Sequence, residues 1–507
     1  MPRRNKRKHK GAEPGTLGAG GGKGGPGENW GGEHMRQAPR PLIAVSPNRT
    51  LIAVAFGTEV RVYDTQAGSL ATLASVCAFD AAAAAAREGG ADAPDAPRWH
   101  TDAIRALSFD STGASMCTAG DDKLARVWRV EKAIERAPGA APGAPESPRS
   151  LTCVRCARLP KKACAAAFTA DGAVAAFADK FGDVHGLPVT ATEVTTAPAG
   201  GEASFDEGTY LFGHCCSIIT DACAPSDAEG ETRLLATADR DFKIRVAKLP
   251  SETTAALDRA IGVPEIQSFC HGHAAFVACV APVPGRGEMI SGGGDGTARL
   301  WRCEDGAQLG AVTLAPPRAR ERDDDDARDD GDASNASNPS NASKMIESGE
   351  APRESVDAPA VVALAAAKSG AAFAAVEDRP GRLAELRASP NALALVGWRS
   401  LFPDDVQAVP TGLHYDETRG EVVGVYEKTR ADGAAVAAVF FAFGETGEDE
   451  RERIARALAV PGMTQARDRG VSLGDAMRKR GYDAQQREER KKQRKDFKSG
   501  GASLSNA

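Results

Sequence analysis

From His100 to Trp128, apolar and polar positions alternate as IRALSF, break at a polar turn, resume in SMCTAG, turn again at Asp122 and finish in LARVW. A period of two over such short runs, bounded by Gly and Asp, predicts three short β-strands joined by tight turns. The segment from His273 to Trp301 superposes on it without a gap, with His and Trp again 28 positions apart. A hydroxyl residue ends each second strand region (Thr118, Ser291), an Asp sits in each following turn (Asp122, Asp295), and each third strand carries Arg before Trp. Self-similarity of this kind signals a repeat architecture, and three such strands match one blade of a β-propeller.

Weaker copies fill the rest of this stretch. HCCSIITDACAP and LATADRDFKIRVA keep His214, Thr237, Asp241 and Arg245 but lack the Trp. CAAAFTADGAVAAFADKFGDVHGL offers Asp179 as the turn residue and His185 in the Trp position, and IAVSPNRTLIAVAFGTEVRVYD ends at Tyr63 with Gly57 in its turn. Third strands ending at Tyr63, Trp128, His185, Ala247 and Trp301 are 54 to 65 residues apart. That exceeds the roughly 40 to 45 residues of a compact blade, so loop insertions are expected. VVALAAAKSGAAFAAVEDRPGRLAEL and TGLHYDETRGEVVGVYEKTRADGAAVAAVFFAF read as two further blades. The prediction is an all-β, seven-bladed WD-repeat propeller over 39–446.

The polar residues of the repeat have a structural reading. His100, Thr118, Asp122 and Trp128, and again His273, Ser291, Asp295 and Trp301, resemble the WD-repeat hydrogen-bond tetrad, which implies that Asp holds His, His reaches the hydroxyl and the hydroxyl meets the indole. Buried polar groups need such partners, at about 1 to 3 kcal/mol for each one left unpaired. Ser, His and Asp together also suggest a hydrolase triad, but a nucleophile would not recur blade after blade. Cys153, Cys156 and Cys164 lack a fourth ligand for zinc, and no dinucleotide fingerprint follows a strand. No catalytic residue, metal or cofactor is expected.

Composition sets the boundaries. The 507-residue chain carries 63 Lys and Arg against 69 Asp and Glu, which excludes a globally cationic nucleic-acid coat. Residues 1–38 are basic, then Gly-rich, and read as disordered: Leu17 and Gly24 spoil the only phosphate-loop candidate around Lys23. Residues 316–356 read as a disordered acidic and Ser/Asn-rich insertion. Eleven scattered cysteines, with no apolar leader or membrane-length run, suit reduced thiols in the cytosol or nucleus. From 447 to 507 the pattern becomes helical and charged, a basic tail expected to lie outside the propeller.

Departures from the repeat carry the functional signal. ADRDFKIRV places Arg240, Lys243 and Arg245 in and just after one turn, and ADKFGDV places Lys180 in the turn of the preceding blade, a basic rim on adjacent blades. Charge alone also allows a solvated face. These segments, with SFCHGHAAFV, SGGGDGTARLWRCEDGAQL and the opening IAVSPNRTLIAVAFGTEVRVYD, resemble the WD-repeat, non-catalytic subunit of the eukaryotic tRNA guanine-N7 methyltransferase over residues 41 to 312. The resemblance implies a nuclear scaffold without cofactor or activity of its own. It would bind a separate S-adenosylmethionine-dependent subunit that methylates a variable-loop guanosine, and help present the tRNA. It also implies partner contacts at Arg245, Lys243 and Arg240, with Lys180 added by adjacency. The alternative is a WD-repeat adaptor serving a ubiquitin ligase or chromatin. In the tail, Arg478, Lys479, Arg480, Arg490, Lys491, Lys492, Arg494 and Lys495 fit a nuclear import signal, a tRNA-phosphate arm or both.

Overall fold

The computed structural model describes residues 38–75, 99–131, 148–189, 208–215, 217–226, 233–249, 265–315, 358–401, 408–431, 433–462 and 477. They form seven antiparallel sheets, the blades of a propeller, over 42–70, 104–158, 163–213, 219–271, 277–313, 361–400 and 412–442. The seven-bladed expectation holds, including the two weakly patterned blades at the end. The acidic insertion, the Gly-rich N-terminus and the tail from 478 lie outside the described residues.

The first strands of successive blades lie side by side around the axis. This crowding explains their small residues, as in ACAAAF and VVALAA. In blades 2 to 6 the first strand carries an irregularity at its second residue: Arg105, Cys164, Thr220, Ala278 and Val362. A bulge re-aims the extra side chain. Arg105, Cys164 and Thr220 accordingly line a cavity at the axis with Arg40, Leu42 and Lys180.

Blade 2 gains an outer fifth strand, Thr72–Ser75, running parallel to Ser150–Arg158. Blade 7 has three strands, and its outer edge is capped by the chain that follows. The helix Glu448–Ala457 opens on Glu448, Asp449 and Glu450 and ends near Arg456, charges that suit its dipole. Ile454, Leu458 and Val460 are buried in one cluster with Val45, Ile52 and Tyr63 of blade 1 and Val423 and Val439 of blade 7. Ala437 N–H donates to Val460 O at 2.8 Å, and Arg61 donates to Ala459 O at 3.0 Å. The charged segment from 447 is therefore not all outside the propeller: its first part closes the ring, because three apolar side chains on an otherwise charged segment face the seam.

The same seam holds a buried ion cluster. Arg49 of blade 1 pairs with Glu421 and with Asp416, at 3.3 Å, of blade 7. Thr446 donates to Glu421 at 2.8 Å and Arg451 approaches it at 3.2 Å.

Candidate functional site

Blades 2 and 5 contain the complete polar sets. His100 Nδ1 lies 2.9 Å from Asp122 and Nε2 lies 3.0 Å from Thr118 Oγ1, which accepts the Trp128 indole N–H at 3.0 Å. In blade 5 the matching distances are 3.0 Å to Asp295, 2.7 Å to Ser291 and 2.7 Å from the Trp301 indole. An indole can only donate, so the hydroxyl accepts from it and gives its own proton to Nε2, leaving Nδ1–H to donate to the carboxylate. Every hydroxyl that resembled a nucleophile is thus buried and engaged on both sides. Gly293 makes the arrangement possible, since a Cβ there would stand 2.4 Å from His273 Nδ1.

Blade 4 keeps the bond but moves the acid. His214 Nδ1 meets Asp239 at 3.0 Å and Nε2 meets Thr237 at 2.7 Å. The histidine's partner is therefore Asp239, at the position where blades 2 and 5 have Gly120 and Gly293, rather than the Asp241 expected from sequence. The backbone explains this: Lys123, Gly182, Phe242 and Gly296 share the left-handed conformation in their turns, which fixes the alignment. Asp239 Oδ1 accepts Asp241 N–H at 2.8 Å and Lys243 N–H at 3.0 Å, so it also builds the turn.

Blade 3 departs furthest. By strand pairing, Leu187 faces Ala175 as Trp128 faces Met116 and Trp301 faces Met289. Leu187 therefore occupies the Trp position, and His185 instead sits opposite Phe177, in register with Arg126, Arg245 and Arg299. The two-residue error arose because DKFGD offers an Asp on both sides of the turn.

The four rim cations fall on blades 3 and 4 with different degrees of freedom. Lys243 is exposed at the start of the third strand of blade 4. Arg245, two residues on, is half-buried: it donates to Gly213 O at 2.8 Å and its guanidinium lies 4.5 Å above the Phe212 ring. Burial lowers its pKa from the usual arginine value. Arg240 donates to Met477 O at 3.0 Å, and Lys180 pairs with buried Asp121 at 3.4 Å. Met477 and Lys180 line the axial cavity together. Sequence reading missed the exposed side chains of this wall, Phe181, Tyr210, Ile266 and Phe269. Phe269 is the cross-strand partner of Arg245 and stacks on His271, the partner of Lys243. The available signal was SFCH, where an outer strand exposes the aromatic that its alternation offers. The basic residues from Arg478 to Lys495 lie outside the described residues.

Among the described residues, seven of nine cysteines are buried, Cys164 is partly buried and Cys215 is exposed. Burial holds the thiols of Cys117, Cys164 and Cys279 well above the usual range. Cys153 and Cys156 are buried on the fourth strand of blade 2, Ser150–Arg158, where Cys153 Sγ contacts Arg155 O at 3.3 Å.

Comparison with known proteins points in one direction. A family model described as the tRNA methyltransferase TRM82 WD40 domain matches residues 80–207 and 196–331, across blades 2 to 5. The tRNA (guanine-N(7)-)-methyltransferase non-catalytic subunit wdr4 of Dictyostelium discoideum is 25% identical over 286 residues, covering 55% of this chain and 50% of that protein. The Homo sapiens protein of the same description is 28% identical over 243 residues, 48% of each chain. That of Bos taurus is 33% identical over 215 residues, 42% of this chain and 41% of that protein. The chain spans about half the length, or less, of these curated relatives.

Proposed function

We propose that this chain, which matches the tRNA methyltransferase TRM82 WD40-domain model across blades 2 to 5, is a non-catalytic scaffold that binds a separate tRNA guanine-N7 methyltransferase subunit. The family match across blades 2 to 5 carries this reading, since it covers the turn ADRDFKIRV and its neighbours. The partner supplies the S-adenosylmethionine chemistry, and the propeller stabilises it and helps position the tRNA variable loop. The buried, doubly bonded hydroxyls of the repeat suit a scaffold better than an enzyme.

Lys243 and Arg245 are the leading contacts, with Arg240 and Lys180 beside them. Lys243 is solvent-facing, and Arg245 is held in place by Gly213 O and Phe212 while remaining half-exposed. Such a preset guanidinium pairs with a partner carboxylate at low ordering cost and fixes orientation. The complex works in the nucleus, with the tail cations from Arg478 to Lys495 as import signal, phosphate contacts or both.

The test is reconstitution. The isolated chain should form no 7-methylguanosine, and adding it to the catalytic subunit should raise that subunit's activity on tRNA. Combined Lys243→Ala and Arg245→Ala should weaken the complex by about 2 to 5 kcal/mol if the pairs are desolvated. Robust methylation by the isolated chain, or unchanged complex affinity in calorimetry, would overturn the corresponding part. Deleting 478–507 should lower the slope of log affinity for tRNA against log salt by about 0.7 to 0.9 for each phosphate the tail had neutralised, leaving the protein complex intact.

A further inference from the structure

Blade 3 brings Asp179, Asp183 and His185 together at the turn where the other blades place their bonded acid. Asp179 is fully buried and His185 is 7% exposed. Asp179 Oδ1 is occupied, accepting Phe181 N–H at 2.8 Å and Asp183 N–H at 3.2 Å. Its Oδ2 and the Nε2 of His185 are buried without hydrogen-bond partners, although they face each other at 3.9 Å. The half-buried Asp183 completes a set whose ligand atoms all lie within 4.8 Å of one another.

That separation decides the chemistry. At 3.9 Å the two atoms are too far apart for a hydrogen bond, whose limit is near 3.2 Å. Imidazole and carboxylate ligands each stand about 2.0 to 2.2 Å from a zinc-like ion, so two of them can share one ion while up to about 4.2 Å apart. A buried carboxylate oxygen facing a bare ring nitrogen is costly unless something lies between them. Blade 4 supplies the internal control, because Asp239 in the same turn position is satisfied by His214 at 3.0 Å. Blade 3 has no such loop histidine and approaches the acid from its third strand instead.

We propose that Asp179, Asp183 and His185 form a binding site for one divalent transition-metal ion of the zinc or manganese type. Two carboxylates balance the charge of such an ion. The imidazole selects it over calcium and magnesium, which take oxygen ligands. A neutral imidazole keeps a nitrogen lone pair to donate to the ion. The half-exposed Asp183 side leaves room for water to complete the coordination. Asp183 pairs across strands with Gly213, whose carbonyl holds Arg245, so the ion would stiffen the ground on which that arginine stands. The site stands independently of the partner reading.

The test uses the tag-free full chain, stripped with chelator and titrated with zinc or manganese salt by calorimetry, with bound metal counted by mass spectrometry. About one ion per chain should bind saturably and raise the melting temperature. Asp183→Asn and His185→Phe should each weaken binding by tenfold or more and abolish the thermal shift. Asp179→Asn keeps the turn's amide bonds and should do the same. Because Asp183 is partly exposed and Phe suits the face opposite Phe177, these variants remain informative if Asp179→Asn does not fold. No saturable binding, or binding equally tight in both Asp183→Asn and His185→Phe, overturns the proposal and leaves a bridging water between the two groups.

Discussion

Blades 5 and 4 use the same register positions for opposite ends. In blade 5 the third-strand arginine, Arg299, is spent internally: it reaches Gln308 at 2.6 Å, Thr297 at 3.1 Å and Asp295 at 3.6 Å. In blade 4 the matching Arg245 leans on the neighbouring blade through Gly213 and Phe212. Trp301 becomes Ala247, so the Thr237 hydroxyl loses its indole, while Thr297 becomes the exposed Lys243. A repeat needs only some of its copies to be fully bonded, and the others can turn the same positions outward. The comparison predicts that damage to blade 5 appears in stability and damage to blade 4 in recognition.

The largest effect is expected for Trp301→Ala. Trp301 is fully buried, packed with Val277, Val280 and Met289, and its loss also strips the donor from Ser291. Truncation should cost about 3 to 5 kcal/mol, read as a fall in melting temperature or denaturant midpoint. Introducing Trp at Ala247 in blade 4 should not restore it, because Ala247 is fully buried in a separate cluster, closed by Leu211, Leu235 and Leu249. Normal melting with lost partner affinity would invert the division between the two blades.

The ring seam should come next. Arg49→Met leaves Glu421 buried against Thr446 and Arg451 alone, a change of about 3 kcal/mol by the usual cost of breaking a buried pair. Arg49→Met combined with Glu421→Met should recover much of that loss, since paired charges replaced together are often neutral. If the double variant is worse than the single, the cluster contributes more than local charge balance.

How much of this was legible follows from register. The tetrads of blades 2 and 5 could be read because His, hydroxyl, Asp and Trp stand at fixed spacing in both. Blades 3 and 4 misled because each turn offers two acids, Asp179 and Asp183 or Asp239 and Asp241, and only a left-handed residue at Gly182 or Phe242 says which ends the strand. A single residue's backbone hand is not written in alternation. The seam helix was read as solvent-facing because EDERERIARALAV is dominated by charge; the spacing of Ile454, Leu458 and Val460 was the missed sign of a buried stripe. The metal candidate is invisible until the third strand pairs, since His185 then turns toward Asp179 rather than filling the Trp position.

Two carboxylates, Asp295 buried and Asp221 partly buried, should sharpen the comparison through opposite pH dependence. Burial raises Asp295, but the His273 ring beside it, with Ala274 and Thr297 donating, outweighs this and holds it well below the usual range. Its stabilisation is present above the unfolded value near 3.9 and is lost as pH falls through the lower folded value. Burial pushes Asp221 up to about 6 despite bonds from Val280 and Ala222. Its contribution is present at low pH and is lost as pH rises through about 6. Melting temperatures measured from pH 2 to 8 should show Asp295→Asn most harmful near neutrality, with the gap to wild type starting to close only below about pH 4. Asp221→Asn should instead improve relative to wild type above pH 6. Parallel curves for the two variants would mean that neither group titrates as its surroundings dictate.

The smallest effect is expected where blade 4 is made to copy blade 5 at its most exposed point. Lys243→Thr installs the residue that blade 5 carries as Thr297, on a strand position facing His271 and solvent. The backbone N–H that bonds Asp239 is kept, and Thr suits a strand edge, so stability should move by less than about 0.5 kcal/mol. Removing one rim charge should slow association with the proposed catalytic partner and flatten its salt dependence, while dissociation changes little. Stopped-flow association at two ionic strengths would measure this directly. An unchanged rate at low salt returns Lys243 to the solvated face and leaves Arg245 to carry the contact. A large loss of stability instead would show that the turn, not the charge, is what blade 4 preserves.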